Sequence, residues 1–257
     1  MAFGNGVLMR GPHYWAWATE DREVAHAPVR SLLHRGRIAR IPILRSVITL
    51  AEMVVLMVSV HRRNGARRGA RFAAFLLGAL ALDMGLGFLL VYLIPNELAG
   101  NIVSGVLIFI LGILAMRLGL GRAVWRYHGA EHKAVNAYEG GADLEDLEQV
   151  ARYSRVHDRC GTNLAVIALL MSLVSYLVLQ YLPLVLGGVY SLLVIAVALE
   201  FFRLIGRKPT SRASRAFLAG GRALQRSITT AEPGPEHLKL ACDALRCVLD
   251  LEAGIRQ

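Results

Sequence analysis

Residues 72–94 read FAAFLLGALALDMGLGFLLVYLI, an apolar run interrupted by Asp83 and three glycines. As a helix rising about 1.5 Å per residue, such a run covers a hydrocarbon core of about 30 Å, and it is expected to span a membrane. Asn163 to Leu182 has the same character. Ala99 to Met116 and Gly187 to Leu204 lie near the minimum spanning length of about 17 residues. Each is separated from the run before it by a short polar or Pro/Gly-bearing turn. The expectation is four spanning helices arranged as two hairpins. More than half of the 257 residues are hydrophobic and they gather in runs, a pattern that argues against a soluble globular domain.

The formal net charge is +10. Arg62, Arg63, Arg67, Arg68 and Arg71 precede the first run, Arg117, Arg122 and Arg126 follow the second, and Arg203, Arg207 and Lys208 follow the fourth. Pro95 to Gly100 and Tyr181 to Leu186 hold no Lys or Arg. The positive-inside rule then puts both termini and the central loop on the cytoplasmic face. Basic flanks of this kind attract anionic inner-leaflet lipid at about 1 kcal/mol per residue. No nucleic-acid partner is expected, because no binding motif accompanies the charge. The first forty residues hold no apolar core of a signal peptide. The three cysteines fall on the reducing side, which predicts free thiols or metal ligands.

Residues 1–42 read as a small cytoplasmic β unit with strands at Gly6–Arg10, His13–Thr19 and Glu23–Arg30. Trp15 and Trp17 alternate with small residues as in a hairpin. Residues 43–60 are apolar, yet Arg35, Arg37 and Arg40 stand before them and Arg62 and Arg63 after, so a re-entrant or interfacial helix is expected there. Arg45 and Glu52 lie near one face of that helix. A first transmembrane hairpin at 72–116, a cytoplasmic helical loop at 117–162, a second hairpin at 163–205 and a cytoplasmic tail at 206–257 complete the expected order. In the tail Leu238, Ala241, Cys242, Leu245, Val248 and Leu249 recur at threes and fours, marking an amphipathic helix and a surface for a protein partner.

The central loop mixes seven basic with seven acidic residues, too balanced for a lipid tether alone. Val124 to Tyr138 reads as a helix ended by Gly140-Gly141, and Leu144 to Val156 as a second helix capped by Asp143. His128, Glu131 and His132 form H-x-x-E-H on the first. A spacing of four puts both imidazoles on one face, close enough to hold one metal ion, with Glu131 on the same side as a general base. Asn136 and Glu139 continue that stripe. Further on, His157 and Cys160 flank Asp158 and Arg159 at a ligand-type spacing of three. With His128 and His132 they would make a closed His3Cys set. Three protein ligands with an open position would instead be catalytic, and Glu200 is another candidate for the third. The expected ion is zinc or another divalent transition metal. The competing readings are a cluster of ordinary interfacial hydrogen bonds and ion pairs and a Cys160/His157 thiolate nucleophile. Asp83 is costly in lipid, which makes it either functional or bonded to a neighbouring helix.

The stretches 6–12 (GVLMRGP), 127–133 (YHGAEHK), 157–162 (HDRCGT) and 229–233 (TTAEP) resemble, in order, the signatures of the YqhQ-like family of bacterial membrane proteins, a domain-of-unknown-function family. The resemblance implies a multi-pass protein of the bacterial cytoplasmic (inner) membrane and no established activity. Asp158 stands where that family usually has Pro, and Asn5 where it has Glu. The chain also begins almost inside the first signature, which suggests a few residues missing from its start. Three functions follow as expectations: a metal-dependent hydrolase acting on a lipid head group or a membrane-associated peptide, a non-enzymatic scaffold with a structural zinc or polar cluster, and a small-solute or ion transporter using Asp83, Arg45 and Glu52.

Overall fold

The computed structural model describes residues 2–63 apart from 4, 21, 35 and 37, the positions 78, 85, 89, 92–94, 99, 102, 103, 105–107, 109–112 and 114, and residues 121–255 apart from 180–183 and 209. The chain divides into two compact units. The first comprises Met1–Ser31, Leu120–Asn163 and Arg215–Gln257, and the second Leu32–Gly119 and Leu164–Ser214. The strands are β1 (Ala2–Phe3), β2 (Gly6–Arg10), β3 (Tyr14–Thr19) and β4 (Arg22–Pro28). The helices are α1 (Pro42–Arg63), α2 (Gly121–Glu139), α3 (Leu147–Ala151), α4 (Gly161–Leu179), α5 (Leu184–Arg207), α6 (Arg212–Leu224) and α7 (Pro235–Ile255), with a π-helical turn at Gln225–Thr229 between the last two.

In the first unit the four strands form one antiparallel sheet in chain order. Val7 faces Ala18 and Met9 faces Ala16 across the β2–β3 ladder. Because strand side chains alternate, these four share a face and join the core, while Leu8, Trp15 and Trp17 are buried from the opposite face. Two helices cover the core. α2 contributes Tyr127, Ala130, Ala134 and Ala137, a stripe at threes and fours whose small side chains admit close packing. α7 contributes Leu238, Ala241, Cys242, Leu245 and Val248. Near its end, Glu252 accepts the His13 and Tyr14 backbone N–H groups at 2.7 and 2.9 Å, fastening the β2–β3 turn to α7. The stretches 1–31, 121–163 and 215–255, distant in sequence, thus fold around a single core.

α3 is shorter than the expected helix over Leu144–Val156, and its cap is Asp146, whose side chain accepts the Gln149 N–H at 2.9 Å. Asp143 instead accepts from the Glu145 N–H. After α3 the chain turns its carbonyls toward α2, as described below, and those bonds replace further helical turns.

The second unit corrects the expected architecture. Among the described residues one helix segment, Val189–Arg207 in α5, is long and apolar enough to cross a membrane by length and composition, with 22% of that window buried. The apolar part of α4, Gly161–Ser175, is shorter. Four spanning helices are therefore not supported. The first two expected spans, Phe72 to Ile94 and Ala99 to Met116, fall largely outside the described residues, as does Asp83. Residues 43–60 belong to one unbroken helix, α1, which carries Pro at its first position, where a missing N–H costs nothing. The small hairpin unit is likewise corrected to a four-stranded sheet built into the core with α2 and α7. The expected third span fails on length, since the apolar stretch of α4 runs only from Gly161 to Ser175.

α1 packs against α5 through a polar seam. Ser46 donates to Glu200 at 2.5 Å, Arg203 donates to Glu200 at 2.8 Å and to Thr49 at 2.7 Å, and Arg45 donates to Glu200 at 2.9 Å through Nε. Glu52 accepts the Leu32 N–H at 3.0 Å.

Candidate metal centre

The faces of α2 divide the labour. Tyr127, Ala130, Ala134 and Ala137 go to the core, and the adjoining face carries His128, Glu131, His132, Lys133 and Asn136. Three of these capture the chain after α3 through its carbonyls. Lys133 Nζ donates to Ala151 O at 2.6 Å, His132 Nδ1 to Arg155 O at 2.7 Å, and Asn136 Nδ2 to Ser154 O and Val156 O at 2.7 and 3.0 Å. This ladder carries the chain to Cys160, which is buried just ahead of the first residue of α4.

A second segment reaches the same face from the other side. The residues after the π-helical turn cross α2 at Gly129, where a Cβ would collide with Ala231 O, and Ala231 N–H donates to Trp125 O at 2.8 Å. Glycine permits this approach, and the approach delivers Thr229 O to His128 Nδ1 at 2.6 Å.

His128 and His132 therefore each present Nδ1 to a backbone carbonyl. A carbonyl only accepts, so both Nδ1 atoms carry hydrogen and both Nε2 lone pairs are left for a ligand. Cys160 Sγ lies 3.3 Å from His128 Nε2, and ligand atoms of His128, His132 and Cys160 all fall within 4.8 Å of one another. The two imidazoles meet edge to face at 4.4 Å between centroids. Two imidazoles locked by outer carbonyls beside one thiol is a donor set suited to zinc or a similar divalent ion.

The electrostatics favour a thiolate at Cys160 held against a His128 that keeps its proton more tightly than an ordinary imidazole. Burial raises the Cys160 thiol, but its hydrogen bonds and charge interactions with His128 and His132 outweigh burial and bring it down to about 5. Burial depresses His128, yet the bond to Cys160 and the charges of Cys160 and Glu131 lift it above its ordinary value. Glu131 is half-buried; desolvation raises its carboxyl, but the positive groups around it, His128 and His132 among them, outweigh this and hold it below the usual carboxylate range. Thr162 N–H reaches Cys160 Sγ at 3.4 Å, adding an amide of the α4 N-terminus.

His157 does not join the set. Its Nδ1 accepts the Arg159 N–H at 3.2 Å and its Nε2 faces Glu139 at 3.5 Å. Its ring centroid is 5.8 Å from that of His132, and burial, followed by the neighbouring His132, lowers its basicity. Glu139 also pairs with Arg159. Asn136 is structural, as the ladder shows. Glu200 and Arg45 belong to the second unit, and the Glu200 carboxylate is taken up there by Arg45, Ser46 and Arg203. Asp158 forms a bidentate pair with Arg222 at 2.6 and 2.7 Å, so a charged residue in this position gains a partner that Pro would lack. Thr229, Arg155 and Lys133 escaped the sequence reading as site residues. Thr229 lies in a recognisable motif, but two of the three act through backbone carbonyls, which no side chain advertises.

The chain matches the family described as "Protein of unknown function (DUF1385)" over residues 41–251, and it belongs to that family. A relative described as uncharacterized protein YqhQ, from Bacillus subtilis (strain 168), is 31% identical over 136 residues, covering 51% of this chain and 42% of the relative. The match thus spans less than half of that relative's length. No solved structure matches the chain.

Proposed function

We propose that the first unit holds a catalytic metal centre and that the protein is a metal-dependent hydrolase. The observation that carries this reading is the convergence of His128, His132 and Cys160 within 4.8 Å, with Nδ1 of each imidazole tied to a carbonyl. His128 Nε2, His132 Nε2 and Cys160 Sγ would hold a divalent transition metal, zinc foremost. With His157 turned to Arg159 and Glu139, three protein ligands leave a fourth position for substrate chemistry, as in catalytic rather than structural sites. When bound, the ion supplies Lewis acidity to a substrate carbonyl or phosphoryl oxygen. Glu131, kept ionised beside the imidazoles, takes the proton from the attacking water and returns it to the leaving group. The apolar helix segment Val189–Arg207 in the second unit supports a substrate at a membrane surface, a lipid head group or a membrane-associated peptide. The test is hydrolysis of chromogenic ester and phosphodiester substrates by the zinc-loaded full chain, wild type beside Glu131→Gln. Turnover in the wild type that falls by at least about 100-fold in Glu131→Gln with metal retained supports the reading. Equal rates, or no turnover, count against it.

A second reading draws on the 3.3 Å contact between Cys160 Sγ and His128 Nε2 at the start of α4. In it a thiolate–imidazolium pair acts with no metal, Cys160 as nucleophile and His128 as the general acid that protonates the leaving group. Activity that survives chelation and is abolished by alkylation of Cys160 would favour this reading over the first.

A further inference from the structure

We propose that Arg155 is the positioning residue that fixes both histidines of the centre together, an inference resting on the reading of His128, His132 and Cys160 as metal ligands. Its two ends serve different rings. Its main-chain carbonyl accepts the His132 Nδ1–H at 2.7 Å. Its guanidinium reaches the segment that orients the other ring, with Nη1 donating to Thr230 O at 2.8 Å and Nη2 to Arg226 O at 3.0 Å. Those carbonyls bracket Thr229, whose own carbonyl holds His128 Nδ1 at 2.6 Å. One residue thereby ties the two outer carbonyls of the site to each other.

The π-helical turn explains why a guanidinium is needed. In a π turn each carbonyl accepts the N–H five residues on, and Thr230 N–H does donate to Gln225 O at 3.2 Å. The next such bond would run from Ala231 N–H to Arg226 O, but Ala231 N–H goes to Trp125 O on α2. Arg226 O is thus released at the exit of the turn, and Arg155 Nη2 takes it. The planar fork of Arg meets two carbonyls four residues apart in one rigid group, whereas the single ammonium of Lys has no such fork. Lys133 secures the neighbouring chain, bonding Ala151 O at 2.6 Å and Glu232 at 2.7 Å, and Arg155 Nε lies 3.6 Å from the same Glu232.

The experiment is cobalt(II) titration of the full chain, reading the thiolate-to-cobalt charge-transfer band and the visible ligand-field bands in wild type, Arg155→Ala, Arg155→Lys and, as a surface control, Arg152→Ala. Outer-sphere partners are worth about 10- to 100-fold in metal affinity. Arg155→Ala is expected to bind cobalt more weakly by that factor with altered ligand-field bands, Arg155→Lys to recover only part of the loss, added guanidinium ion to restore the alanine variant, and Arg152→Ala to match wild type. If Arg155→Ala does not fold by circular dichroism, Arg155→Lys decides: weakened binding with altered bands supports the proposal, and wild-type behaviour overturns it. An Arg155→Ala variant that folds and binds with wild-type affinity and spectrum also overturns it, while the metal reading stands. A wild type that binds no cobalt removes the metal reading and this inference with it.

Discussion

The ligand-bearing face of α2 in the first unit and the seam between α1 and α5 in the second satisfy their polar groups in different ways. In the first, side chains of α2 bond to backbone carbonyls of segments distant in sequence: Lys133 to Ala151, His132 to Arg155, Asn136 to Ser154 and Val156, His128 to Thr229. In the second, the seam between α1 and α5 is built from side chains bonding to one another, with Glu200 set among Arg45, Ser46 and Arg203. Around that seam stand large exposed apolar residues, Val55 at 65%, Val189 at 62% and Leu192 at 63% among them. Carbonyl acceptors fix ring orientation without adding charge, which suits a ligand cluster. A charged seam holds two apolar helices in one register and leaves their remaining faces for other contacts.

This contrast can be broken or sharpened by experiment. The largest effect is expected at Cys160 in metal-free protein. Its thiol is held at about 5, against about 8.5 for an ordinary cysteine. The folded value is the depressed one, so the stabilisation from the thiolate is fully present above the ordinary value and is lost as pH falls through about 5. Iodoacetamide modification followed by mass spectrometry should place the titration of Cys160 near pH 5 and that of Cys247 above the ordinary value, because burial and Asp250 raise it. A Cys160 profile centred near 8.5 would remove the electrostatic description of the first unit.

Next comes Glu200→Ala, which leaves two part-buried guanidinium groups facing each other without their carboxylate. Breaking a fully buried ion pair costs about 3 to 5 kcal/mol. These groups, with side chains 15 to 30% exposed, are expected to lose about 2 to 3 kcal/mol. Thermal unfolding in detergent should show that loss while metal binding by the first unit is kept. If metal binding falls in step with stability, the two units do not act separately. A smaller effect follows from Gly129→Ala, whose new Cβ meets Ala231 O. Overpacking of this kind costs about 1 to 3 kcal/mol, and because it displaces the segment bearing Thr229, metal affinity should fall as well. Unchanged affinity would show that Thr229 O does not orient His128.

The legible parts of the sequence were those written in side-chain spacing. H-x-x-E-H on one helical face predicts two imidazoles side by side, and their centroids lie 4.4 Å apart. The recurrence of Leu238, Ala241, Cys242, Leu245 and Val248 marks the face of α7 that is buried. Cys160 was identifiable as a ligand type, but its spacing from His157 was misleading: the tight turn there brings Arg159 N–H onto His157 Nδ1 and sends the thiol to His128 and His132 instead. Arg155 and Thr229 were illegible because the groups they offer the rings are main-chain carbonyls. The joining of 2–28, 121–163 and 215–255 around one core was hidden because each short piece looks marginal alone. The expected third span was overlong because hydropathy does not fix where an apolar helix stops: that stretch of α4 ends at Ser175, short of the expected Leu182.

The most direct measurement is elemental analysis of the purified full chain, wild type beside His132→Ala and Cys160→Ala, counting metal per chain with folding checked by circular dichroism. If the convergence of His128, His132 and Cys160 is a metal centre, the wild type carries about one zinc or similar ion per chain, as a single three-ligand site requires, and each folded variant loses it. A wild type that stays metal-free after loading with zinc, or folded variants that keep the ion, would contradict the metal centre.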